Sequence, residues 1–183
     1  MHASMMLGAA KILCGMRERF AGCVKLIFQH SEDTLPGGAK ELVEKGVLEN
    51  PHVDAVFGHH VWPAYDTGYV AVRNGAMMAS SDRFFITVHG KNSHGSAPEN
   101  GIDAIVIASY VVTALQSIVS RNVGPLDSAV VTIGKMNGGS RYNVIADEVV
   151  MEGTCRNLNP AVRKTMHARI ENIIKSIIEG MDG

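Results

Sequence analysis

Phe57-Gly58-His59-His60-Val61-Trp62-Pro63 follows directly on an apolar run that begins at Val53. A short apolar run closed by turn residues has the form of a buried parallel strand. In open α/β sheets, ligands sit just beyond the carboxyl ends of such strands. The same layout occurs upstream, where Val24 to Phe28 leads into Gln29-His30-Ser31-Glu32-Asp33. Two acidic side chains and two histidines brought to one sheet edge would make a metal site with a base beside it. The expected fold class of this half is therefore α/β.

Working outward, residues 3–17 read as a helix rich in Ala, Met and Leu, and Val24 to Gln29 as a first strand. Gly37-Gly38 opens a helix from Ala39 to Lys45, with Gly46 at a C-terminal capping position. Pro51 to Phe57 gives a second strand and Gly68 to Arg73 a third extended piece, so the order suits part of an α/β layer. Asn74-Gly75 and Ala79-Ser80-Ser81 mark a boundary. Beyond it Phe84, Ile86 and Val88 alternate with Phe85, Thr87 and His89, the pattern of a half-buried strand. A polar loop over 90–101 precedes a helix that Asp103 can cap, with a stripe of Ile105, Ala108, Val112, Leu115 and Val119. Ala129 to Ile133 reads as a strand, and Gly138-Gly139 as a turn. Val149, Met151 and Cys155 line one side of a further strand. A last helix begins at Asn159-Pro160, with Val162, Met166, Ile170, Ile173 and Ile177 as its stripe. Residues 82–183 thus run β-α-β-β-α, the ferredoxin-like order with its closing strand missing. The expected division is a first domain over 1–79 and a second over 80–183.

Composition narrows the function classes. The 183 residues carry a formal net charge of −1, and only 5% are aromatic, which disfavours nucleic acid, an anionic membrane surface and base stacking. No stretch matches the roughly 20 uncharged apolar residues of a membrane span. The three cysteines lack CxxC spacing and read as reduced thiols of a cytoplasmic protein.

Several groups could carry chemistry. In Glu32-Asp33 one carboxylate could bind a metal while the other takes a proton from bound water, although an acidic pair after a strand is usually a solvated loop or cap. Of His59 and His60 only one can point into a given site, and a neutral imidazole held through its second nitrogen is a good zinc ligand. His30, His52, His89 and His167 lack such context. His94, in the small-residue loop Ser93-His94-Gly95-Ser96-Ala97-Pro98, could polarise a carbonyl oxygen or be an ordinary loop histidine. Gly138-Gly139-Ser140-Arg141-Tyr142-Asn143 could hold a carboxylate through backbone N–H groups, Arg141 and Asn143.

Taken in order, Gln29-His30-Ser31-Glu32-Asp33, Gly58-His59-His60-Val61-Trp62-Pro63, Ser93-His94-Gly95-Ser96-Ala97-Pro98 and Tyr142-Asn143-Val144-Ile145 resemble one family. It comprises the metal-dependent amidohydrolases that include hippurate hydrolase, N-acyl-amino-acid aminoacylases and plant indole-acetyl-amino-acid hydrolases. The resemblance covers essentially the whole chain. It implies a catalytic α/β domain interrupted by a ferredoxin-like lid that also mediates dimerisation, hence a homodimer. It also implies a small N-acyl amino acid or peptide as substrate, and one or two zinc, manganese or nickel ions per complete site. Carried over residue by residue, Glu32 is implied as the general base and His94 as the group reaching the scissile carbonyl. Asn143, with Arg141 and Gly139 in its turn, is implied near the substrate carboxylate, and His60 as a metal ligand. Asp33 stands where the family has a glutamate ligand, one methylene shorter in reach. His2 resembles the last histidine of a Cys-Gly-His-Asp-x-His stretch, whose cysteine and first histidine would lie ahead of Met1. A further ligand histidine would lie beyond the lid. The chain therefore reads as the interior of a longer enzyme, and by itself it is expected to be weakly active or inactive.

Overall fold

The computed structural model describes residues 1–34 and 36–183, and the chain divides into two compact units, Met1–Val70 and Ala71–Gly183.

The first unit contains α1 (His2–Gly15), a 3₁₀ turn at Arg17–Arg19 and α2 (Ala39–Glu44). Gly46 follows α2 with φ +79°, a left-handed conformation that suits glycine as a helix stop. The expected strands at 24–29, 51–57 and 68–73 do not form: no ladder includes them among the described residues. A strand is completed only by a second backbone, and apolar runs without one stay single. Val24, Leu26 and Phe28 consequently remain exposed, and Phe57 is 92% exposed. One cross-tie does connect the expected first and second strands. The Lys25 ammonium donates to the carbonyls of Val47, Glu49 and Pro51 at 2.9, 2.7 and 3.0 Å.

The second unit begins with β1 (Asp82–His89) and the short β2 (Ser93–His94). Then come α3 (Ala104–Ser117), which runs on into a wider π-helical turn over Ile118–Asn122, and β3 (Ala129–Gly138). The short β4 (Val144–Ile145), β5 (Glu148–Asn157) and α4 (Pro160–Glu179) complete the unit. β1, β5 and β3 form an antiparallel sheet in that order, so β5 enters between the two strands that α3 connects. This is the expected β-α-β-β-α arrangement, a split βαβ fold with β1 and β3 as sheet edges. A bulge between Ile133 and Lys135 shifts the register along β3.

Alternation decides which face of the sheet is buried. Ile86, Val88, Val131, Val149, Met151 and Cys155 point into a core closed by α3 and α4. Asp103 caps α3 through its carboxylate, which accepts from the backbone N–H groups of Ile105 and Val106 at 2.9 and 3.1 Å. Asn159 caps α4 by accepting from Ala161 N–H at 3.0 Å, with Pro160 in the first turn as expected. The α4 stripe also agrees, since Met166 and Ile170 are buried and Val162, Ile173 and Ile177 pack against the core. The α3 stripe needs correction. Its buried positions are Ala104, Ile107, Ala108, Val111 and Leu115, while Ile105 is exposed. Ala104–Asn122 is apolar enough, at mean hydropathy 1.5, to cross a membrane by length and composition. The expectation that no stretch is long and apolar enough is corrected by this one helix, a third of whose apolar window is buried in the core.

Candidate functional site

The four sequence segments that could carry chemistry are distributed over both units, two in each.

In the first unit, two histidine segments meet. The rings of His2 and His60 lie 4.3 Å apart between centroids. His60 Nδ1 donates to the carbonyl of Val61 at 2.6 Å, which leaves Nε2 as the nitrogen with a free lone pair, the arrangement of a metal-ligating imidazole. His59 spends its Nε2–H on the His2 carbonyl at 3.0 Å, so it supports the turn. His2 is differently committed, because its Nε2 accepts the Val61 N–H at 3.2 Å. Glu32 and Asp33 are exposed, and Glu32 accepts a hydrogen bond from the Gln29 amide. Asp33, His60 and His2 do not gather as a three-donor set. Catalytic zinc sites use three protein ligands and an open position, so these three donors, as placed among the described residues, do not fit a complete metal centre.

Among the described residues, the three-donor group that does converge lies in the second unit. Asp82, Cys155 and His167 bring one ligand atom each within 4.8 Å, beside a groove of about 410 Å³ between β1 and α4. Both Asp82 oxygens are already taken by the Arg163 guanidinium, through Nε at 2.8 Å and through Nη2. That bidentate pair holds the Asp82 carboxyl down at about 2, with His167 adding to the effect against the cost of burial. Burial and the Asp82 charge push the Cys155 thiol up. A neutral thiol and a carboxylate neutralised by arginine make an ion-pair knot and not a cation site. Sequence reading missed this cluster, because its members are spread from 82 to 167: the β1–β5 pairing sets Asp82 opposite Cys155, and α4 brings His167 to them.

Of the lid residues expected at a site, His94 and Asn143 are brought to one short ladder. β2 and β4 pair antiparallel, with His94 opposite Val144. Gly95 N–H donates to the Asn143 carbonyl at 2.8 Å, and Ala97 N–H donates to the His94 carbonyl at 2.8 Å. A Cβ on Gly95 would lie 3.1 Å from the Asn143 carbonyl oxygen, so glycine permits this close approach. Gly139 turns the chain with φ +78° after β3, and Arg141 and Tyr142 stand exposed beyond it. His94 and Asn143, 49 positions apart, thereby share one end of the unit. The Ser93 hydroxyl next to them is buried without a hydrogen-bond partner.

The chain belongs to the M20 metallopeptidase and amidohydrolase family, residues 79–182 matching its peptidase dimerisation domain. It is 42% identical to an N-acyl-L-amino acid amidohydrolase of Geobacillus stearothermophilus, over 97% of this chain and 48% of that one. It is 43% identical to the hippurate hydrolase of Campylobacter jejuni, over 99% of this chain and 46% of that one. Among solved structures, a putative aminohydrolase from methicillin-resistant Staphylococcus aureus superposes with a TM-score of 0.89 at 41% identity, covering 97% of this chain and 47% of that one. The YXEP protein of Bacillus subtilis, named a dinuclear metal-binding peptidase of the M20 family, gives 0.75 at 32% identity, covering 98% and 44%. The chain thus spans about half the length of the relatives it matches.

Proposed function

We propose that this chain supplies the lid and a base-bearing segment of an amidohydrolase acting on N-acyl amino acids or small peptides. The observation that carries this reading is the β2–β4 ladder, which sets His94 beside the Asn143 turn. In the proposed chemistry Glu32 takes a proton from the attacking water and returns it to the leaving amine. His94 donates to the carbonyl oxygen as it gains charge. Asn143, Arg141 and the backbone of the Gly139 turn meet the substrate carboxylate. One or two divalent ions, zinc, manganese or nickel, are the proposed cofactor, with Asp33, His60 and His2 as this chain's contribution to their ligands. Exposed free thiols at Cys14 and Cys23 support a cytoplasmic location.

Titration with an N-acetyl amino acid, followed by amide NMR, tests the substrate class. Shifts are expected at Gly95, Ser96 and Asn143, with Asn143→Ala weakening binding about tenfold, as for one hydrogen bond to a charged group. The unacylated amino acid producing the same response would refute the reading. Elemental analysis of the dialysed chain is expected to find less than one ion per chain, and the substrate panel to give no turnover above buffer. An ion that is retained, and lost in the Glu32→Ala/His60→Ala double variant, would mean instead that the chain assembles a metal site by itself. A second reading, a dimerisation module without catalysis, is favoured by the same lack of convergence. It requires that N-acyl amino acids leave the lid amides unmoved.

The proposed homodimer forms through the lid. β3 is a free sheet edge, and neighbouring α3 exposes Ile105, Val106 and Tyr110, the last at 59%. A sheet edge flanked by an apolar helix face suits pairing with a second copy. Sedimentation is expected to show a dimer, with Tyr110→Asp raising its dissociation constant at least about 30-fold, the scale of an interface hot spot. A wild-type monomer at high concentration would exclude this dimer.

A further inference from the structure

We infer that Ser96 is a positioning residue that fixes His94 as its Nε2–H tautomer, making it a hydrogen-bond donor toward substrate and not a general base. This inference deepens the proposed function and rests on it for the identity of the acceptor, a carbonyl oxygen of an N-acyl amino acid.

The argument begins with a donor that has no alternative role. The backbone N–H of Ser96 points at His94 Nδ1 over 3.2 Å. A backbone N–H can only donate, so Nδ1 must present a lone pair, and in the neutral ring the proton then resides on Nε2. The Ser96 hydroxyl lies 2.7 Å from the same nitrogen. A hydroxyl can act either way, but with Nδ1 already an acceptor it donates as well. Two donors from one residue therefore converge on one ring nitrogen.

The loop keeps this geometry in register. His94 is held by its ladder partner Val144, while the Gly95 and Ala97 N–H groups tie the backbone on either side of the ring. A Cβ at Gly101 would overlap the Ser93 hydroxyl and the Lys91 carbonyl, so the return of the loop is packed against its start. The side chain of His94 is itself exposed, and its Nε2 has no protein partner among the described residues. The free nitrogen of the neutral ring thus carries a proton and lacks a lone pair. It can meet a carbonyl oxygen or an oxyanion, but it cannot take a proton from water. The two proton roles of the proposed reaction are accordingly divided: Glu32 accepts and His94 donates.

The chain contains its own contrast. His52 Nδ1 lies 3.1 Å from a Glu49 carboxylate oxygen, which can only accept, so in the neutral ring His52 must carry its proton on Nδ1. Two-bond proton–nitrogen correlation spectra of the labelled chain, recorded near pH 8.5 where imidazoles are neutral, read both tautomers directly. His94 is expected to favour Nε2–H on the order of 30-fold, from two hydrogen bonds to Nδ1, and His52 to show the opposite form. Ser96→Ala keeps the N–H and loses the hydroxyl, so the preference should fall to about fivefold. Ser96→Pro removes both donors and should leave His94 with the mixture of an unconstrained imidazole. If that variant disturbs the lid, seen as shifts in the β1 and β5 amides, the alanine result stands alone. A His94 protonated on Nδ1 in the wild type, or a tautomer ratio unchanged by Ser96→Ala, would overturn the inference. No substrate enters this measurement, so its failure is separate from failure of the N-acetyl amino acid titration. A fixed Nε2–H tautomer with no ligand response would uphold the positioning by Ser96 and remove only the proposed substrate.

Discussion

Ile107→Ala is expected to lower the unfolding free energy by about 3–4 kcal/mol, whereas Ile105→Ala, two positions away, should cost less than about 1 kcal/mol. Ile107 is 1% exposed and lies in the core closed by α3 and α4 over the sheet. Truncating it removes buried methyl groups and leaves a cavity that the surrounding strands cannot fill, because close-packed cores relax only partly. Ile105 is 44% exposed on the other side of α3. Its side chain has little burial to lose while the chain is monomeric. Urea unfolding well below the dimer concentration, followed by far-UV circular dichroism, measures both variants. Equal losses would mean that the helix is rotated relative to the sheet, with Ile105 as a core position.

That pair of residues also marks how far the sequence was legible. A stripe of apolar residues at helical spacing identified α3 as a helix, but the apolar positions of Ala104–Ser117 extend past the buried ones to the exposed Ile105 and Val106, so the stripe was too wide to fix its buried centre. The choice is made by the sheet: Val88 and Met151 decide which side of α3 meets them, and the stripe moves with them. In β1 the alternation was readable because Arg83, Thr87 and His89 hold three of the four outward positions, and the burial follows it even at Phe85, which stays exposed. The first unit failed for a different reason. Val24–Phe28 and Val53–Phe57 have strand composition, yet a ladder is a relation between two backbones, and composition carries no information about whether the second one is there. The lid half of the site was legible as residues but not as a geometry. His94 and Asn143 were singled out separately, and only the two-residue pairing of β2 and β4 makes them neighbours. The Ser96 contact to His94 lay within the quoted loop, but its sense depends on a backbone N–H direction that no residue pattern encodes.

The second large effect concerns the ion-pair knot between β1 and α4. Asp82→Asn is expected to cost about 1–2 kcal/mol at pH 7 and to remove a pH dependence that the wild type shows in acid. Asp82 is only 15% exposed at its side chain, and its carboxyl is held down at about 2 chiefly by hydrogen bonds from Arg163. A carboxylate with a depressed folded value stabilises the native state fully above its unfolded value near 3.8 and loses that contribution as pH falls toward 2. The full shift would correspond to about 2.4 kcal/mol. Arg163 is 47% exposed, so solvent screening reduces what the pair contributes. Removing the charge also leaves a guanidinium facing a neutral amide, which retains part of the hydrogen bonding. The wild type should therefore lose stability relative to Asp82→Asn between about pH 4 and pH 2, with the two urea midpoints converging at the acid end. Midpoints separated by a constant interval down to pH 2 would assign the cost of the substitution to packing at the groove and not to the charge. His167 sits 3.3 Å from the same carboxylate and helps hold it down, so His167→Ala should narrow the interval and raise the lower end of the acid window, by less than loss of the Arg163 contact would.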